Sequence, residues 1–237
     1  MGKGQIYPWV QTTWNPLRGH CPHECNYCYV NNLKNRFKHI DDKYTGELRI
    51  QQGELSSRKL PKKDTVFVCS MNDLFAEAVP NKVITKILKV TKAHNYPVRW
   101  LWQTKNPIRM LDYSGLFPAN SLFGTTIETN QKVLSKAPNP CDRFVGMLEL
   151  KSAGFKNRMV SIEPVMKFCP DVMYSWIKEI DPDFISIGAD SKRNAVIDEP
   201  TEGDLQFFVD AVKQNTNVYL KHNIYRIAPN LTLTEVC

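Results

Sequence analysis

Two rhythms of apolar residues alternate along the chain. Short blocks rich in β-branched and aromatic residues stand at 6–13 (IYPWVQTT), 65–70 (TVFVCS), 99–105 (RWLWQTK), 122–129 (LFGTTIET), 158–164 (RMVSIEP), 183–189 (DFISIGA) and 218–223 (VYLKHN). Most are short and continuously apolar, the pattern of strands covered on both faces. Between them the apolar positions fall three and four apart. Val83, Ile84, Ile87, Leu88 and Thr91 share one helical face, with Pro80 and Asn81 opening that helix. Further helices are expected at 141–154, stopped by Gly154, at 172–180 and at 202–215. Thr201 is the expected N-cap of the last, with Asp204 in its first turn.

This alternation predicts parallel strands joined by crossover helices. The expected fold is α/β, a partial, open parallel barrel of about six to seven β/α units in one domain over residues 1–237. Ligands in such folds meet the carboxyl ends of the strands. The polar strand ends therefore gain meaning: Ser70 to Asp73, Thr104-Lys105, Thr125 to Glu128, Ser161 to Pro164, Gly188 to Asp190 and Lys221 to Asn223 are expected around one mouth.

Composition adds little to the fold but narrows the setting. The chain is 42% hydrophobic and 23% charged, values of a soluble globular protein. It has no apolar run of about 18 residues to span a membrane. The opening MGKGQIYPWV lacks the apolar core of a signal peptide, so a cytoplasmic location is expected. The net charge of +7 is uneven: residues 1–120 carry 18 Lys and Arg against 9 Asp and Glu, the rest 13 against 15. Either the basic half is a solubilising surface or it faces an anionic partner such as DNA, RNA or a nucleotide.

The densest chemistry lies in GHCPHECNYCYV, residues 19–30, where Cys21, Cys25 and Cys28 fall within eight residues. Seven cysteines in a cytoplasmic chain favour metal binding over disulfides. Structural zinc takes four ligands, and a fourth would come from His20, His23 or the distant Cys69, Cys141 or Cys169. A [4Fe–4S] cluster held by three thiolates instead leaves one iron open to a small molecule. His20 and His23 are expected beside the ligands rather than among them.

C-x3-C-x2-C with Tyr27 before the last cysteine, following a first strand, resembles the radical S-adenosylmethionine (SAM) superfamily. WNPLRGHC, VFVCSMNDLF, WQTKNPIRM, SIEPV and ISIGADS look like the phage- and bacteria-associated radical SAM-like proteins of an uncharacterised domain family; a more distant likeness is to spore photoproduct lyase. The chain departs from that family's pattern in reading S-M-N-D-L-F and in its final segment, YLKHNIYRI.

The resemblance implies that Cys21, Cys25 and Cys28 hold a [4Fe–4S] cluster whose open iron binds SAM, with an electron donor protein as partner. Reductive cleavage then releases methionine and a 5′-deoxyadenosyl radical. It places Tyr27 against the adenine, Ser70, Met71 and Asp73 at the SAM amine, and Thr125, Thr126 and Glu128 at its ribose and carboxylate. Ser161 and Glu163 end the next strand in the same mouth. Lys105 and Lys221 are candidates to neutralise an anionic substrate, and Trp14 either stacks on a base or packs against the loop. Cys69 is either a hydrogen-atom donor or a buried apolar residue. The expected activity is a radical modification or repair of a nucleotide or nucleic-acid base. The rival is a non-catalytic nucleic-acid-binding protein stabilised by zinc or an iron–sulfur cluster.

Overall fold

The computed structural model describes residues 6–56, 58–190 and 197–233. Its elements run β1 (Thr12–Trp14), β2 (Leu17–Arg18), α1 (Tyr29–Arg36), α2 (Lys38–Tyr44), β3 (Arg49–Ile50), β4 (Thr65–Val68), α3 (Asn81–Lys92), β5 (Arg99–Thr104), β6 (Ser121–Thr126), α4 (Pro140–Ser152), β7 (Arg158–Ile162), α5 (Pro170–Ile180), β8 (Phe184–Ile187), α6 (Glu202–Val212) and β9 (Asn217–Leu220). Seven strands form one all-parallel sheet in the order β1-β4-β5-β6-β7-β8-β9, and β2 and β3 make a separate antiparallel pair. The expected open α/β fold is therefore found.

Strand order follows chain order, so right-handed crossovers place every helix on the same face and curl the sheet. The packing bears this out. Trp100, Trp102, Phe123, Val160, Ile162, Ile185 and Ile187 share one core with Ile84, Ile87, Met147, Ile177 and Phe208 of the helices. The alternate residues Phe67, Leu101, Leu122, Met159 and Phe184 face the other way and form a second, smaller core. Continuing by two along each strand, that inner face turns polar: Gln103 and Lys105, Thr126 and Glu128, Ser161 and Glu163, Ser186 and Gly188, Tyr219 and Lys221. Inner apolar layers fill the amino end of the half-barrel and leave the carboxyl end for chemistry.

The first predicted strand needs correction. Of residues 6–13 only Thr12 and Thr13 are in β1, and Tyr7 and Val10 instead fill the inner core, with Trp9 stacked on Tyr7 at 4.9 Å. Its apolar density reflects burial in the half-barrel rather than pairing. The hairpin of α1 and α2 was not anticipated, because its exposed polar residues conceal a short buried stripe. Two local signals hold: Thr201 Oγ1 accepts the Asp204 N–H at 3.1 Å, and Gly154 takes φ +80° just past α4. Among the described residues no helix is long and apolar enough to cross a membrane.

Candidate functional site

The cysteine loop leaves β2 through Gly19, whose φ is +98° and where a Cβ would meet the Glu47 carbonyl oxygen at 2.2 Å. Gly19 N–H donates to Lys43 O at 2.9 Å, His20 N–H to Gly46 O at 2.8 Å, and Gly19 O accepts from Asn72 Nδ2 at 2.9 Å. The hairpin of α1 and α2 thus ties down the start of the loop. Its end is fixed differently: Cys28 is the N-cap residue of α1, its carbonyl oxygen accepting from the Asn31 N–H at 3.2 Å. Cys21 O accepts from the Glu24 N–H at 3.4 Å, and Cys25 Sγ lies 3.1 Å from Ser135 Oγ.

All three cysteines line one small cavity of about 40 Å³. Burial pushes the Cys21 thiol up to about 12 and raises Cys28 as well. Those two thiols therefore hold their protons until a cation displaces them, as metal loading does. Among the described residues no three His, Cys, Asp or Glu converge on a single-ion site. Three thiols on one cavity are a soft donor set of the kind that iron–sulfur clusters use.

His23 sits inside the loop, buried, with Nε2 2.8 Å from Asp73 Oδ2. Asp73 also accepts from Thr104 Oγ1 (2.7 Å), the Lys105 N–H (2.7 Å) and the Phe75 N–H (3.0 Å). Burial pushes its carboxyl up, but His23 and these donors outweigh that and hold it at about 2. Both Asp73 oxygens are thus engaged in joining the loop to the ends of β4 and β5. Asn15, of the W-N-P stretch, accepts from Ser70 Oγ at 3.2 Å and the Met71 N–H at 3.1 Å. Tyr29, directly after Cys28, donates its hydroxyl to Ser70 O at 2.6 Å.

Across the mouth, Glu128 is fully buried between two cations. Its Oε1 lies 2.6 Å from Lys105 Nζ and its Oε2 2.6 Å from Arg143 Nη1, while the Tyr27 hydroxyl donates to Oε1. Burial raises this carboxyl, but Lys105 and Arg143 outweigh burial and bring it to about 2. Lys105 also stands 5.4 Å over the Tyr27 ring. The tyrosine between two cysteines is thereby held against the end of β6.

Arg143 is on α4, which begins with a capping box of Asn139 and Asp142 and Pro140 in its first turn. Arg143 Nε donates to Pro138 O at 2.7 Å and Nη1 to Thr126 O at 2.9 Å. Sequence reading missed it. The signal was present: Arg143 falls on the buried stripe with Met147 and Leu150, at positions i, i+4 and i+7, where a charge has to find a partner.

Glu163 and Lys221 meet at 2.5 Å on the inner face, beside Gly188. Lys221 also donates to Ile6 O and lies 5.3 Å over the Tyr7 ring. Tyr7 OH donates to Gln103 Oε1 at 2.9 Å and accepts from the Ser161 hydroxyl at 2.8 Å. Thr126 faces the same interior and accepts from Gln103 Nε2 at 3.0 Å. Thr125 does not join them: it lies on the helix-covered face, with Oγ1 donating to Thr104 O at 2.9 Å. Trp14 is in the outer core, its Nε1 donating to Glu54 O at 3.1 Å and its ring 5.8 Å from Trp100. Cys69 is buried in that core too, in a left-handed conformation with φ +56°, and burial raises its thiol to about 12.

The fold is similar to several solved structures. A radical SAM methyltransferase from Sphaerobacter thermophilus superposes with a TM-score of 0.61 at 10% identity, covering 91% of this chain and 67% of that one. A mutant of spore photoproduct lyase superposes at 0.60 with 10% identity, covering 90% and 76%. A further spore photoproduct lyase mutant, with bound AdoMet and dinucleoside spore photoproduct, gives 0.53 at 12% identity, with 86% of this chain against 61% of that one. No curated protein matches in sequence. A family model matches residues 4–197, from the segment before β1 to the approach to α6, and the chain belongs to that family, the Protein of unknown function (DUF5131).

Proposed function

We propose that the chain is a radical SAM enzyme in which Cys21, Cys25 and Cys28 hold a [4Fe–4S] cluster, acting on a nucleotide or nucleic-acid base. The observation that carries this reading is the convergence of the three cysteines on one cavity at the carboxyl end of an open parallel sheet. The likeness to radical SAM enzymes, one of them holding AdoMet and a dinucleoside, supports it. When bound, the reduced cluster supplies the electron that splits SAM into methionine and a 5′-deoxyadenosyl radical.

The chain's own residues prepare that chemistry. Tyr27, tethered by Glu128, offers its ring as a wall for the adenine. Ser70 and Met71, set by Asn15 and Tyr29, lie where the SAM amine is received. Asp73 and His23 fix the loop. Thr126, Ser161, Glu163 and Lys221 line the interior, where they orient substrate. An electron donor protein and a cytoplasmic setting complete the reading, and the basic half of the chain accords with an anionic substrate.

The test is anaerobic purification, loading with iron and sulfide, chemical reduction and measurement of 5′-deoxyadenosine formed from SAM. Product is expected from the wild type. Alanine at Cys21, Cys25 or Cys28 is expected to remove the bound iron and its visible absorbance. An intact cluster that never cleaves SAM would favour the rival, a non-catalytic nucleic-acid-binding protein.

A further inference from the structure

A larger cavity, of about 590 Å³, lies alongside the edge strand β1. Its lining comes from Gln11 to Asn15 of the β1 segment, from Tyr29, Lys43 and Tyr44 of α1 and α2, and from Arg18, Glu54 and Lys59. Its volume is that of a small-molecule site. Met71 and Tyr44 line both this cavity and the small one that holds the three cysteines, so the two adjoin.

The charges in its wall are unbalanced. Among the described residues it presents three cations, Arg18, Lys43 and Lys59, against the single carboxylate of Glu54. Arg18 is already engaged: Nη2 lies 3.6 Å from Glu54 Oε1, Nη1 donates to the Tyr44 hydroxyl at 2.6 Å, and the guanidinium sits 5.3 Å over the Tyr44 ring. Glu54 thus offsets Arg18. Lys43 and Lys59 remain exposed, and neither has an ion-pair partner among the described residues. Tyr29, 37% exposed and adjacent in sequence to Cys28, supplies an aromatic face next to Ser70 and Met71.

Two unpaired ammonium groups beside an accessible aromatic ring suit a ligand that is both anionic and planar. Phosphate satisfies the first and a base the second, since base stacking on aromatic side chains tolerates any base. We propose that the cavity beside β1 binds a nucleoside phosphate unit of the substrate, free or within a single strand, with its phosphate at Lys43 and Lys59 and its base against Tyr29. This rests on the nucleotide-class substrate proposed above and deepens it by naming where the phosphate binds. The shared residues Met71 and Tyr44 bring that ligand up to the cysteine cavity.

The experiment uses cluster-loaded protein with SAM, anaerobically, and measures binding of a fluorescein-labelled oligothymidylate over a range of salt, with thymidine 5′-monophosphate as competitor. K43E/K59E is expected to weaken binding at least about tenfold. It should also lower the slope of log affinity against log salt by about 0.7, the value for one phosphate contact on a single strand. K82E/K89E, on the exposed face of α3, is the control and is expected to bind as the wild type does. Competition by the mononucleotide identifies a free nucleotide as sufficient; its failure with tight oligonucleotide binding identifies a strand, and both agree with the site. Equal loss in both double variants, or no loss in K43E/K59E, overturns the cavity assignment while the substrate class stands. No binding by the wild type overturns both, whereas loss of SAM cleavage alone counts against the radical reading only. If K43E/K59E does not fold, judged by its thermal transition, K43Q/K59Q is used, with the same loss of salt slope expected.

Discussion

Glu128 and Glu163 stand at the ends of neighbouring strands, both face the interior and both meet a lysine, yet they are driven in opposite directions. Glu128 is held at about 2, whereas Glu163 is raised above its ordinary value. Burial pushes both up. Against it Glu128 has Lys105, Arg143 and the Tyr27 hydroxyl, while Glu163 has Lys221 alone in contact and only a more distant attraction from Lys105. The number of facing donors decides the sign, not burial or residue type. One carboxylate is consequently a fixed anion that positions Tyr27, and the other is a carboxyl whose single lysine partner does not overcome its burial.

The sharpest way to break this contrast is Glu128→Gln, which leaves Lys105 and Arg143 buried without their counter-charge. It is expected to cost about 3–5 kcal/mol of stability, read as a lower urea midpoint. Acid titration tests the same node without mutation. A carboxyl lowered from 4.5 unfolded to about 2 folded contributes stability that is full above pH 4.5 and is lost as pH falls toward 2. The loss is on the order of 3 kcal/mol and should vanish from the E128Q profile.

Gly188→Ala addresses the other node. Its Cβ would stand 2.9 Å from Lys221 Cδ and 3.2 Å from Glu163 Cδ, forcing the pair apart. A loss of about 1–3 kcal/mol is expected by thermal unfolding. Glu163→Gln should cost least, about 1 kcal/mol, because the pair it removes is partly solvated. Its pH dependence is the finer test. A raised carboxyl contributes stability that is present below the unfolded value of 4.5 and is lost as pH rises through the folded one. E163Q should therefore gain on the wild type as pH rises above 4.5, whereas E128Q loses ground as pH rises from about 2 to 4.5 and keeps a constant deficit above that. Parallel profiles for the two variants would overturn the comparison.

Much of this was legible in local pattern. The β5 and β6 blocks announced strands buried on both faces, and the polar residues just after them did assemble at one end. The cysteine spacing identified the loop that the three sulfurs share. Less legible were positions whose meaning depends on a distant partner. Asp73, expected at the SAM amine, has its oxygens occupied by His23, Thr104 and the backbone after β5. Thr125, grouped with Thr126 and Glu128, faces the opposite side because adjacent residues of a strand diverge.

The sequence by itself determined most of the strands and the later helices, their parallel run and the three-cysteine spacing, because apolar spacing and ligand spacing are local and repeat within a few residues. Tertiary structure alone decided that Tyr7 fills the half-barrel instead of extending β1, and that Arg143 reaches Glu128 from another element. It also decided that Tyr27 is tied to a carboxylate 101 positions away. Those outcomes follow from which groups must share a buried space, and no local rhythm encodes a partner that only folding brings within reach.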